Sequence, residues 1–321
     1  MTTVTKLPLD DAGIGNISDY KSNSLWRLTL RRLLRQRSAI AGMVIMGLLI
    51  FAAIAAPLIA PYDPDQVLIG VEDVKKRGAP CIHLLGCPQD QPQHIMGIDG
   101  NVRDEYSRVI FGTRVSLRVG FVTVGFAIIV GTILGSISGY FGGWWGDLIM
   151  RIMDVVLAFP FLLLAIAIVS VLGPGLTNAM LAIAIVSIPA YARVVRASIL
   201  SVREQDFVEA SRALGASHWQ ILFGRILPNA LPPLIVQGTL GIGTAILDTA
   251  ALSFIGLGAQ PPTAEWGAML AGERNQVFSS PHLVFFPGLA IMLTVLAFNL
   301  LGDGLRDSLD PRLVHAGVKS E

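Results

Sequence analysis

The chain has 321 residues, of which 53% are hydrophobic and only 15% are charged. Soluble domains carry about 25% charged residues, so this chain has too little charge to cover a water-facing surface of its size. The net charge of +1 provides no overall basic field, and we expect no nucleic-acid partner.

Six apolar runs follow one another along the chain, each long enough to cross about 30 Å of hydrocarbon as a helix of about 20 residues. A run such as 126–134 is apolar on every side, whereas a strand of a membrane barrel alternates apolar and polar residues. Because a helix satisfies its own backbone hydrogen bonds in lipid, the pattern predicts an all-α integral membrane protein. The six predicted transmembrane helices cover residues 38–60, 115–140, 148–172, 176–200, 233–257 and 283–301.

The positions of the arginines give these helices a direction. Five arginines precede the first span, five lie at or between the fourth and fifth spans, and two follow the sixth. All three groups fall on one side of a six-span chain, and the positive-inside rule assigns that side to the cytoplasm. We therefore predict a multi-pass protein of the cell membrane with cytoplasmic tails at 1–37 and 303–321 and an extracytoplasmic loop at 61–114.

The first predicted tail contains an amphipathic pattern. Trp26, Leu30 and Leu33 fall on one helical face, and Arg27 and Arg31 fall on another. This pattern predicts a helix that lies in the membrane interface and contacts lipid, with a plain topological stop signal as the alternative.

Two cysteines, Cys81 and Cys87, lie close together in the predicted extracytoplasmic loop, which is an oxidising location. Whether they form a disulfide stays open, because spacing alone does not fix the distance between their Cα atoms. His83 and His94 in the same loop are expected to be solvated, and no spacing typical of a metal site is present. We expect the chain to bind no metal and no cofactor.

Three charged residues inside the predicted spans need an explanation. Arg151 and Asp154 lie three residues apart near the start of the third span, so we predict that they pair. Asp248 lies deeper, in the fifth span, where an acidic side chain costs about 2.5–3.5 kcal/mol on insertion scales. It must face protein or a water-filled path, and both a packing role and a pathway role stay open.

Glycines recur at every fourth residue in the second span. Gly131, Gly135, Gly139 and Gly143 would share one face of a helix, which predicts close contact with a neighbouring helix. A hinge at these glycines is the alternative.

The segment 204–228, between the fourth and fifth spans, is predicted to form two short helices joined by a turn. Gly215 stands where a helix end favours a left-handed residue, and Ser217 and Gln220 have the spacing of a capping box. Pro228 is expected to end the second helix. Apolar residues recur along both helices without a soluble domain to cover them, so we expect a partner protein to bind here.

This segment resembles the EAA loop of ABC importer permeases, in which Glu-Ala-Ala is followed by a glycine and a closing Leu-Pro. The matching residues are Glu209, Ala210, Gly215, Leu227 and Pro228, and a serine replaces the second alanine. The resemblance implies a type I ABC importer permease fold with a core at 115–302. It also implies that the segment docks into an ATP-hydrolysing subunit and transmits its closure to the membrane helices.

Further runs are similar to the C-type permease of dipeptide, oligopeptide and nickel importers. They lie in the family's order at 96–108, 112–117, 252–270 and 303–312, although Val102 stands where the family has glycine. The resemblance implies a homologous second permease subunit, two cytoplasmic ATP-binding subunits and an extracytoplasmic substrate-binding protein as partners. Peptides are the expected substrates; the particular solute, and whether the permease pair is made of one chain or two, stay open.

The sequence contains no Gly-x-x-x-x-Gly-Lys-Ser/Thr motif, so partner subunits are expected to use ATP and Mg²⁺, and this chain is not expected to be an enzyme. A stand-alone secondary transporter is the first alternative, but no convincing internal repeat supports it. An intramembrane enzyme is the second alternative, but no histidine lies inside a predicted span to activate a serine there.

Overall fold

The computed structural model describes residues 30–309, which are built from α-helices joined by loops. A π-helical turn (Leu222–Ile226) and two 3₁₀ turns (His83–Leu85 and Arg274–Gln276) interrupt the regular structure. The α-helices are α1 (Arg37–Ile59), α2 (Glu105–Tyr140), α3 (Gly143–Leu157), α4 (Phe161–Leu172), α5 (Leu176–Arg203), α6 (Asp206–Ala213), α7 (His218–Ile221), α8 (Leu227–Phe254), α9 (Trp266–Glu273) and α10 (His282–Leu309).

Five helical stretches within the described residues are long and apolar enough to cross a membrane: α1, α2, α5, α10 and the continuous stretch from α7 through α8. The pair α3 and α4 makes a sixth if it is counted as one broken span. The prediction of an all-α membrane protein with about six spans is therefore confirmed.

The predicted third span is wrong in one respect, because residues 148–172 are not one helix. The axes of α3 and α4 differ in direction by 91°. Pro160 explains the break, since proline has no backbone N–H and its ring clashes with the preceding helical turn. Proline within α5, at Pro189, leaves that helix continuous.

The N-terminal amphipathic helix is described only in part. A helical turn at 30–33 precedes α1, with Leu33 buried and Leu30 exposed. Trp26 and Arg27, which complete the predicted pattern, lie outside the described residues.

The longest helix, α2, has 36 residues and runs from one end of the bundle to the other. We call the end that carries Cys81 and Cys87 the disulfide side, and the opposite end the Gly215 side. Along its length α2 packs on α5, and α8 packs against both of these helices. The last helix, α10, packs between α8 and α1.

The glycine face of α2 accounts for its close contact with α5. A Cβ atom at Gly135 would lie 2.5 Å from the carbonyl oxygen of Ala192, and a Cβ at Gly131 or Gly139 would also press on α5. The predicted contact is confirmed for these three glycines. It is wrong for Gly143, which follows the end of α2 and begins α3 with a φ of +60°.

Gly135→Ala tests this packing. We expect it to destabilise the protein by about 1–3 kcal/mol, because an added methyl group in a tight contact forces the helices apart. Gly125→Ala is the matched control, since it lies in the same helix with no atom within 4 Å of its added Cβ. Thermal unfolding in detergent should give a lower Tm for Gly135→Ala only; equal Tm values for the two variants would contradict the tight contact.

Candidate functional site

Two short helices on the Gly215 side form the helix-turn-helix predicted at 204–228. After α6, Gly215 adopts a φ of +80°, in the left-handed region that favours glycine. Ser217 caps α7 by accepting a hydrogen bond from the Gln220 backbone N–H at 3.4 Å. The Gln220 side chain accepts a second bond from the Ser217 backbone N–H at 2.9 Å. The predicted turn glycine and capping box are both confirmed.

The inner side of this helix-turn-helix packs against the membrane helices of the same chain. Val208, Ile221 and Ile226 are fully buried in the main apolar core. At the end of α2, the Tyr140 hydroxyl lies 2.9 Å from Nδ1 of His218, within hydrogen-bonding distance. The expectation that a partner must cover the apolar residues of both helices is therefore wrong for this inner set, because the bundle itself covers it.

The outer side of the two helices stays exposed. Leu214 is 89% exposed, Trp219 62% and Phe223 55%, and the last two rings stack with their centroids 5.7 Å apart. Glu209 and Ala210 are exposed on α6 beside them. We call these five residues the α6–α7 surface; it is an apolar patch with an acidic edge.

Leu227 and Pro228 connect this surface to the bundle. The expectation that Pro228 ends the second short helix is wrong, because α7 continues through the turn Leu222–Ile226 into α8. Pro228 is accommodated directly after this π-helical turn, where the regular hydrogen-bond pattern of the helix is already interrupted. The α6–α7 surface is therefore continuous with a membrane-spanning helix.

Asp154 pairs across helices and not within its own helix. A guanidinium nitrogen of Arg193, on α5, lies 2.5 Å from the Asp154 carboxylate. The predicted pair with Arg151 is wrong, and Arg151 makes no ion pair within residues 30–309. Because α3 packs beside α5, the Arg193 side chain reaches Asp154 directly. Both partners are exposed in the isolated subunit, so the pair contributes about 0–1 kcal/mol.

Asp248 lines a cleft of about 300 Å³ between α5, α8 and the break that separates α3 from α4. Four other polar side chains line the same cleft: Ser187, Tyr191, Gln237 and Thr244. Leu157 and Phe161 flank the break at its wall. A packing role for Asp248 requires a hydrogen-bond partner for its carboxylate, and the described part of the chain supplies none.

On the disulfide side, buried charged residues converge at the start of α2. Asp104 caps the helix, because one of its carboxylate oxygens accepts a hydrogen bond from the Ser107 backbone N–H at 2.7 Å. Its other carboxylate oxygen lies 2.7 Å from Nδ1 of His94. Asp99 accepts from the Nε of Arg103 at 2.8 Å. These charges are withdrawn from water, so each depends on its partners for stabilisation.

His94 is therefore not the solvated loop histidine that the sequence suggested. Its side chain is buried, its ring stacks on Tyr62, and its Nε2 lies 3.1 Å from a carboxylate oxygen of Glu72. The Tyr62 hydroxyl donates to the other oxygen of Glu72 at 2.7 Å. Burial raises the pKa of Tyr62, and the hydrogen bond to Glu72 and the charge of that carboxylate raise it further.

Three hydrogen bonds that sequence analysis missed fasten α9 to the long loop and to the first turns of α2. Arg77 donates to Glu273 at 2.7 Å, and the Gly100 backbone N–H donates to the same carboxylate at 2.8 Å. Trp266 is fully buried and donates its ring N–H to the carbonyl oxygen of Val109 at 3.0 Å. The partners lie more than 150 residues apart in sequence, so no local pattern identifies them.

Cys81 and Cys87 are joined by a disulfide, with their Cα atoms 5.4 Å apart. The bond closes a small loop whose tip is the 3₁₀ turn at His83–Leu85. Nearby, Val102 adopts a φ of +59°, the left-handed conformation for which glycine is favoured. The buried Val102 side chain packs with Leu68 and Ile98, and this contact offsets the backbone strain of about 1–2 kcal/mol.

Comparison with known proteins places the chain in a family. Residues 131–315 match the binding-protein-dependent transport system inner membrane component. The chain belongs to this family. Residues 24–76 also match the N-terminal transmembrane domain of oligopeptide transport permease C. The chain is therefore a multi-pass membrane permease of a binding-protein-dependent transport system.

Individual relatives agree over nearly the whole chain. The dipeptide transport system permease protein DppC of Alkalihalophilus pseudofirmus is 47% identical, over 92% of this chain and 92% of its own length. The glutathione transport system permease protein GsiD of Pectobacterium atrosepticum is 45% identical, over 92% of this chain and 94% of its own length.

A solved structure supports the fold. The chain is similar to an inward-facing structure of the MetNI methionine ABC transporter, with a TM-score of 0.53 and 21% identity over 63% of this chain and 97% of that chain. The predicted type I ABC importer permease fold is confirmed.

The buried ring of His94 predicts a pH-dependent stability on the disulfide side. Burial disfavours the charged ring, but the hydrogen bonds and charges of Asp104 and Glu72 together outweigh burial and raise the pKa of His94 above its ordinary value of 6.5. A raised pKa means that protonation stabilises the folded loop. This contribution is complete below pH 6.5 and is lost as the pH rises through the raised pKa.

We therefore expect His94→Gln to lower the Tm at about pH 5.5 and to lower it less at about pH 9, because the contribution of the protonated ring is lost as the pH rises through the raised pKa. Thermal unfolding of both proteins at the two pH values measures the difference. His83→Gln is the control, because His83 is only half-buried and its ring pairs with the Gln91 carbonyl oxygen and with no carboxylate among the described residues. A Tm difference for His94→Gln that does not change with pH would refute the role of the charged ring.

Proposed function

We propose that the chain is one of two membrane subunits of an ATP-driven importer of small peptides. The proposal rests on the exposed α6–α7 surface. The inner side of the two helices that bear this surface packs on the bundle, and α7 is continuous with α8. The names of the relatives support peptides as the substrate class, since one relative is named for dipeptides and another for glutathione, itself a short peptide. ATP and Mg²⁺ are bound by partner subunits.

The proposed orientation places the Gly215 side in the cytoplasm. Arg203, Arg212 and Arg225 lie on this side, in agreement with the positive-inside rule. The disulfide side then faces the oxidising exterior, where a disulfide persists. In this orientation an extracytoplasmic binding protein delivers peptide to the disulfide side, and both termini lie in the cytoplasm.

The proposed mechanism is alternating access between two arrangements of the helices. Closure of two ATPase subunits presses on the α6–α7 surface. Since Ile221 and Ile226 anchor the inner side of this element in the core, the surface cannot move without moving α8. Membership of a binding-protein-dependent family disfavours a stand-alone secondary transporter and an intramembrane enzyme, because neither would need the partners that this family uses.

Leu214→Arg tests the docking of the ATPase subunits. We expect this variant to lose co-purification of the ATPase subunits, because an apolar anchor at the centre of an interface typically contributes 2 kcal/mol or more, about 30-fold in affinity. Leu84→Arg is a matched control, since Leu84 is 94% exposed but lies on the disulfide side. Equal recovery of the ATPase subunits with both variants would rule out the α6–α7 surface as their docking site.

Gly215→Val tests the coupling turn. A β-branched residue in the left-handed conformation costs about 1–2 kcal/mol, so we expect the turn to reorganise and ATP-driven uptake to fall while ATP hydrolysis continues. Gly215→Asn should retain more uptake, because asparagine tolerates this conformation. Uptake into proteoliposomes and ATP hydrolysis are measured together on the complete transporter.

The control for this series is Gly47→Val, at a membrane helix position where an added Cβ meets no atom within 4 Å. Wild-type uptake by Gly215→Val, at wild-type protein level, would remove Gly215 from the proposed coupling mechanism.

A further inference from the structure

The cleft beside Asp248 contains polar groups that are not used by the protein. The Asp248 carboxylate, the Tyr191 hydroxyl and the Gln237 amide all line it. None of the three has a hydrogen-bond partner among the described residues, whereas Ser187 in the same cleft donates to the carbonyl oxygen of Ile183 at 2.7 Å. Convergent polar groups in a mostly apolar cleft are typical of a small-molecule binding site.

The charge of the cleft selects the kind of ligand. No lysine, arginine or histidine lines it, so Asp248 is its sole ionisable acid or base other than the weakly acidic Tyr191. Asp248 lies six residues before the end of α8 at Phe254, about 9 Å along the helix. A carboxylate at this depth needs a cation or water as a partner. The described side chains provide no cationic partner for Asp248, so a cationic group that binds there transiently would complement its charge.

The shape of the cleft is consistent with passage of a solute. The backbone between α3 and α4 is not helical at Phe159 and Pro160, and Leu157 and Phe161 on either side of it line the cleft. Within a membrane, irregular backbone is tolerated where it is buried in protein or lines a water-filled cavity. The volume of about 300 Å³ lies at the lower end of the range for ligand pockets, which suits one end of a short peptide.

We propose that Asp248 binds the protonated amino group of the peptide during its passage through the membrane, with the Tyr191 hydroxyl and the Gln237 amide as neighbouring hydrogen-bonding groups. This inference rests on the proposed function, and it adds a residue that recognises a chemical group shared by peptides with a free amino terminus. Asp248 is then a pathway residue and not a packing residue.

The test uses the complete transporter in proteoliposomes, with its binding protein, its ATPase subunits and radiolabelled dialanine as the probe. We expect Asp248→Asn to lower ATP-driven uptake about 10–100-fold, as for the loss of a charge-assisted hydrogen bond away from water. Asp248→Glu should restore uptake to within about threefold, because it keeps the charge. Asp303→Asn is the matched control, since Asp303 undergoes the same chemical change at an exposed position on α10.

Two further measurements on the same variants distinguish peptide binding by Asp248 from a purely structural role of this residue. Asp248→Asn should unfold at the same or a higher Tm, because it removes a charge from the membrane interior. It should also keep the stimulation of ATP hydrolysis by peptide-loaded binding protein, because docking and coupling do not depend on the charge of the Asp248 carboxylate. A lower Tm, or equal losses of uptake in Asp248→Asn and Asp248→Glu, would overturn the inference in favour of packing.

The remaining outcomes distinguish the inference from the function on which it rests. If the wild-type transporter takes up dialanine and Asp248→Asn does so at the rate of Asp303→Asn, the inference fails and the proposed function stands. If the wild-type transporter shows no ATP-driven uptake of dialanine, the proposed peptide function fails and the inference fails with it.

Discussion

The close contact between α2 and α5 is the interaction on which the rest of the structure depends. Glycines on α2 allow the two backbones to approach, and both helices reach the two ends of the bundle. At the Gly215 side, Arg203 at the end of α5 donates to the carbonyl oxygens of Gly139 and Tyr140 at 3.3 Å each. A change in the spacing of these helices would therefore disturb the support of the α6–α7 surface as well as the core.

The disulfide side is held by a different kind of interaction. The apolar cluster of its long loop is small, with Leu68, Ile98 and Val102 as the buried members, so burial of apolar surface contributes little within that loop. Paired charges and one disulfide fasten this loop instead. Removing one partner of a buried pair leaves the other charged and unsolvated, which costs about 3–5 kcal/mol. The pairing of Arg77 with Glu273 extends this dependence to α9.

Sequence patterns predicted the features that depend on neighbouring residues. Five of the six spans, the capping box of Ser217 and the left-handed Gly215 follow from helical periodicity and local backbone chemistry, and the structure has them. The direction of the bend at Pro160 depends on the helices packed around it, and the burial of His94 depends on Tyr62, Glu72 and Asp104, which no periodic pattern links to it. For the same reason, i to i+3 spacing suggested the wrong partner for Asp154, since a neighbouring helix provides a better one.

One continuous helical stretch carries both proposed sites, and this relates them mechanically. The exposed Trp219 lies near its beginning and Asp248 near its end. Between them the regular backbone is weakened twice, at the π-helical turn Leu222–Ile226 and at the prolines Pro232 and Pro233. Kinks in helices arise at such positions, so bending is favoured near the Gly215 side while the segment with Asp248 stays straight. A push on the α6–α7 surface would then tilt this segment as a unit and change the width of the cleft against α5.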